Sequence, residues 1–150
     1  MYVTRNIFST VNDFIMQCPF IAESEVNFHI APPQEPPMQG NIDAVLAYEG
    51  SYDVEMTPEV TGGYNVARRD VFQIRLALLS SNSADYARLF AFMDNFQQWV
   101  DYMAAYGQVP SFEGSEITKL WADSATGENA SVTNAQHTIR LHIVSSRSFN

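Results

Sequence analysis

Apolar positions recur along the chain in two periods, one near 3.6 residues and one of 2, and their succession predicts a mixed helix and strand protein. The longest helical signal runs from Ser83 to Gly107, where Tyr86, Leu89, Met93, Phe96, Val100 and Met103 follow steps of three and four. Asn82 or Ser83 can cap its first free amides, Asp85 suits the first turn, and Gly107 followed by Pro110 marks the stop. A shorter helix is predicted over Asn6 to Gln17, with Ile7, Val11, Phe14 and Ile15 as its stripe, Thr4 or Asn6 as cap and Pro19 past its end. Strands are predicted over Glu25 to Ile30, Gly50 to Pro58, Asp70 to Leu79 and Ala135 to Val144. In Gly50 to Pro58, Tyr52, Val54 and Met56 alternate with Asp53 and Glu55, which gives an acidic outer face. In Asp70 to Leu79 the alternation is strict, which predicts a central strand; Ala135 to Val144 is expected to close the sheet.

Between these elements, Ala31 to Gly40 holds four prolines and is expected to be a stiff loop or an edge crossing. Glu59 to Tyr64 carries the Gly62-Gly63 pair of a turn, Ser80 to Ser83 links a strand to the long helix, and Asp123 to Asn129 is a polar loop. Ile117 to Trp121 has strand composition. Ile42 to Tyr48 fits a short strand or a helical turn. The tail Ser145 to Asn150 is expected to be loose.

The long helix has an apolar surplus. Phe92, Trp99 and Tyr106 lie seven apart on the flank of its main stripe with Tyr102 beyond them, so the apolar arc widens to roughly 240° and leaves a narrow polar strip of Asp94, Gln98 and Asp101. One sheet does not cover that much. Either a second element of the chain lies on the flank, or a neighbouring subunit does, which makes Phe92, Trp99, Tyr102 and Tyr106 candidate subunit-interface residues.

Composition narrows the class. A chain of 150 residues is expected to form one domain, and 46% hydrophobic with 13% aromatic residues is globular. No apolar run reaches bilayer length, and MYVTRNIFST lacks the basic start and apolar block of a secretory signal, so a soluble protein made in the cytoplasm is expected, with no membrane partner. A net charge of −9 argues against gripping nucleic acid, although like charge suits a channel through which DNA slides. Cys18 stands alone and reads as core filler, so neither a disulfide framework nor a cysteine zinc site is expected.

Candidate chemistry is sparse. Asp53 and Glu55 at i and i+2 of a strand edge read as a solvated face more than as an acid/base pair. His137 and His142 fall on opposite faces of one strand and His29 is remote in sequence, so no metal site is expected. The Gly62-Gly63 pair lacks phosphate-loop surroundings, and no GxSxG or HExxH pattern occurs. No cofactor is implied, and a structural role is favoured over catalysis.

The series FIMQCPF, YDVEMTP, DVFQIRLAL, LFAFMDNFQQWVDYMAAYGQVP, ITKLW and NAQHTIRLHIV resembles a family of small phage and prophage proteins of the head and tail-completion region, called minor capsid or tail-terminator proteins. The likeness covers about Phe14 to Val144 and includes a helix of the form F..W followed by a prolyl stop, here Phe96, Trp99, Val109 and Pro110, with Val109 where the family has leucine. The resemblance implies an α/β sandwich, that is an α+β fold: a mixed, mostly antiparallel sheet with two helices on it. It implies a virion protein at the head-tail junction, a homohexameric ring that caps the tail tube, stops its polymerisation and joins it to the head connector or stopper. DNA would pass through the lumen without specific binding. A head-tail adaptor, a tail-tube subunit, and a small-ligand binder or enzyme are the alternatives.

Overall fold

The computed structural model describes residues 6–30, 42–78, 82–126 and 137–150. In chain order it contains α1 (Ile7–Ile15), α2 (Phe20–Glu23), β1 (Val26–His29), β2 (Ile42–Pro58), β3 (Tyr64–Leu78), α3 (Ser83–Ala105), β4 (Glu116–Thr126) and β5 (His137–Phe149). The strands form one five-stranded sheet in the order β1-β2-β3-β5-β4. Among the described residues only the β1–β2 pair is parallel. This is the mixed, mostly antiparallel α+β architecture expected, with the single turn α2 added to the two foreseen helices.

α3 forms where its stripe predicts and ends as its terminal residues dictate. Asn82 Oδ1 accepts the Ala84 amide at 2.8 Å. At the other end Gly107 turns left-handed (φ 68°), so that the Gln108 amide reaches the Met103 carbonyl at 2.8 Å and the Gly107 amide the Ala104 carbonyl at 3.2 Å, satisfying two of the terminal acceptors. α1 buries Val11, Phe14 and Ile15. Its cap differs from expectation: Asn6 holds the position in a left-handed conformation and makes no side-chain capping bond.

The buried faces of the helices pack on one side of the sheet. Ile42, Ala44 and Leu46 of β2, Phe72, Ile74, Leu76 and Leu78 of β3, Ile139, Leu141 and Ile143 of β5, and Leu120 of β4 meet Val11, Phe14, Leu89, Phe96 and Val100 in one apolar cluster. Burial of this kind, near 25 cal/mol per Å² of apolar surface, is what orders the sheet. β3 is central in space as in pattern.

One open alternative is decided and three expectations need correction. Ile42 to Tyr48 is strand, continuous with Gly50 to Pro58 in a 17-residue β2 that bulges between Tyr48 and Gly50 and again between Tyr52 and Glu55. Asp123 to Thr126 is not loop but the end of β4, paired with His137 to Arg140. The tail is not loose, because Ser145 to Phe149 pair with Tyr64 to Arg68 of β3. β5 lies inside the sheet between β3 and β4, so β4 and not β5 is the edge. The proline-rich stretch Ala31 to Gly40, residues 80–81 of the Ser80 to Ser83 link and residues 127–129 of the Asp123 to Asn129 stretch lie outside the described residues.

Candidate assembly interface

The four aromatic residues singled out on α3 divide into two pairs. Phe92 is 0% exposed and Trp99 8% within the single chain, whereas Tyr102 is 56% and Tyr106 69% exposed. α1 covers Trp99, whose ring lies 4.9 Å from that of Phe14 and 5.6 Å from that of Phe96, and Phe92 packs on Phe96 of the same helix at 5.9 Å. Tyr102 and Tyr106, one helical turn apart with ring centroids at 4.8 Å, lie beyond that cover.

The sheet face away from the helices carries a polar network centred on the first bulge. Two residues of β2 oppose one of β3 there, which brings Glu49 to Arg140 and Gln73. Arg140 grips Glu49 with two bonds, Nε to Oε1 at 3.0 Å and Nη2 to Oε2 at 2.7 Å, and Gln73 adds a third at 2.6 Å. The Arg140 guanidinium, with smaller help from Gln73, holds the Glu49 carboxyl well below the usual range, to about 2. The second bulge places Asp53 in a left-handed conformation (φ 53°), where it accepts from Arg69 Nε at 2.8 Å.

Arg69 also fixes a histidine. Its Nη1 lies 2.8 Å from His142 Nδ1, and since a guanidinium only donates, Nδ1 must accept; the ring proton then sits on Nε2, which donates to Asp123 Oδ2 at 2.9 Å. Trp121 stacks flat on the same ring at 4.7 Å. Burial, reinforced by Arg140 and Arg69 against the pull of Asp123, moves the His142 pKa down and keeps it neutral. His137, on the opposite face and buried, also has its pKa lowered by desolvation. His29 sits on β1 with Nε2 2.9 Å from Asp43, so the three histidines are held apart. These groups serve sheet geometry, and the pairings join strands too distant in sequence for spacing to reveal them.

Both lateral edges of the sheet are open among the described residues. β1 pairs with β2 only as far as Val45, which leaves the outer edge of β2 from Leu46 to Pro58 without a strand, and β4 has no strand beyond it. The distal part of β2, with β3 and the end of β5, forms an arm that reaches past the helices, so the side of Gly50 to Pro58 expected to be buried is not: Val54, Met56 (66% exposed) and Val60 at the turn all face solvent. At the opposite edge, a groove of about 600 Å³ runs between the end of α3 and β4, lined by Ala104, Ala105, Val109, Ile117, Leu120 and Trp121 with Lys119.

No protein-family model matches the sequence, and no curated protein does. Among solved structures, the chain is similar to one in a structure titled "Virion of native gene transfer agent (GTA) particle", at 15% identity over 89% of this chain and 90% of that one, with a TM-score of 0.40.

Proposed function

We propose that the chain is a structural protein of a phage-like virion, and within it a tail terminator: a ring-forming subunit that occupies the growing face of the tail tube, stops its polymerisation and joins it to the head connector. The observation that carries this reading is the pair of open sheet edges on opposite flanks, one with the exposed apolar arm and the other with the apolar groove. Unpaired edges and exposed apolar segments are what soluble chains ordinarily cover or blunt. A subunit that meets a neighbour on each flank has both covered, and such head-to-tail contacts close into a ring when the rotation from one copy to the next returns to the first. The sequence resemblance to tail-completion proteins supports the same role.

In this reading Tyr102 and Tyr106 are interface residues, the copies form a hexamer, and the acidic charge of −9 keeps a central channel from binding DNA. Phe92 and Trp99 act inside the subunit, Trp99 holding α1 against α3 through Phe14. The extended arm also suits a tail-tube subunit, and self-assembly separates the two: a tube subunit grows long tubes alone, a terminator does not.

The test is to add the purified chain to tail-tube subunits while they polymerise. Elongation is expected to stop, with the chain found at tube ends. Tubes that lengthen unchanged and carry none of it would refute the role.

A further inference from the structure

The two open flanks complement one another, and we propose that the β2 arm of one copy seats in the groove between α3 and β4 of the next, with Glu55 against Lys119. This rests on the assembly reading above and names its contact. The groove has apolar walls in Val109, Ile117, Leu120 and Trp121, and it runs along the free edge of β4. The arm offers Val54 and Met56, both exposed, on either side of Glu55. It also offers a free edge of its own, since the side of β2 away from β3 has no described strand beyond Val45. Strand addition at such edges satisfies backbone donors and acceptors on both partners, while side chains entering the groove supply apolar burial.

Charge selects the register. Lys119 is the one cation among the residues lining the groove and is exposed. Of the acids on the arm, Asp53 is taken by Arg69 and Glu59 accepts from Ser148, whereas Glu55 is exposed and has no partner among the described residues. Between copies that each carry −9, most juxtapositions repel, so a local opposite pair favours one docking over the rest. Because arm and groove lie on opposite edges of one sheet, every copy gives an arm on one side and receives one on the other, and the contact propagates without a two-fold axis.

Two single variants test this, Glu55→Cys and Lys119→Cys, in a chain whose native Cys18 is buried. They are mixed under oxidising conditions at concentrations where the wild-type chain assembles by light scattering. The expected product is a linked pair holding one of each variant, formed about tenfold or more above either variant alone, because docking raises the effective concentration of the two thiols. In parallel, Met56→Asp is expected to weaken assembly by about tenfold or more, since it brings a charge to an apolar contact. If assembly persists with no mixed cross-link and Met56→Asp leaves it unchanged, the arm-to-groove contact is overturned while the ring stands. A wild-type chain that stays monomeric at every concentration, alone and with tail tubes, overturns both.

Discussion

Replacing Trp99 with alanine separates a core role from an interface role. The indole is almost wholly inside the single chain, against Phe14 of α1 and Phe96 one turn back on α3, so truncation removes its apolar burial and leaves a cavity between the two helices. Substitutions of this kind cost about 3–5 kcal/mol, and in a domain of this length each kcal/mol lowers the melting temperature by about 2–4 °C. Trp99→Ala is therefore expected to melt roughly 6–20 °C below wild type by calorimetry or circular dichroism. Phe14→Ala should couple to it, with about 0.5–1.5 kcal/mol of non-additivity in the double variant, because the two rings form one contact. Tyr102→Ala, on the same helix but exposed, is expected to stay within about 0.5 kcal/mol of wild type while impairing assembly. A Trp99→Ala chain that melts within about 2 °C of wild type but fails to assemble would show that Trp99 faces a neighbour after all.

Other expectations follow from the polar face and the arm. His142 and His137 have lowered folded-state pKa values, so stability is fully present above their unfolded pKa near 6.5 and declines as pH falls through it toward the folded values; a His137→Phe, His142→Phe chain should show a flatter melting profile between about pH 7 and 5. Glu49 has its folded pKa depressed to about 2, so its contribution is present above pH 4.5 and lost as pH falls toward 2, and Glu49→Gln should remove that part of the acid limb in urea titrations. Gly63 is left-handed (φ 79°), and an added Cβ would lie 2.1 Å from the Phe149 carbonyl, whereas one at Gly62 meets open space. Gly63→Ala should cost more than about 1 kcal/mol and speed amide exchange at the end of β5, with Gly62→Ala milder in both.

How much was legible in the sequence depended on whether local period or distant pairing decides a segment. The stripes of α1 and α3, the alternation in Phe72 to Leu78 and His137 to Ile143, and the Asn82 and Gly107 signals each report a local arrangement, and each appears in the fold. Ser145 to Phe149 is mostly serine and Asp123 to Thr126 is made of small residues, so neither carries an apolar alternation, and they are strand because β3 and β5 supply partners at that register. The bulges at Glu49 and Asp53 each add one residue with no compositional mark, yet they decide which side chains meet Arg140 and Arg69. The width of the α3 stripe was readable. Which element covers it was not, because the Phe14–Trp99 contact joins segments 85 positions apart.

The most direct test of the central claim is electron microscopy of particles produced without this chain. The account predicts tail tubes of uncontrolled length and heads that remain unjoined, both corrected when the wild-type chain is restored. Particles of normal tail length, joined to their heads in its absence, would contradict it.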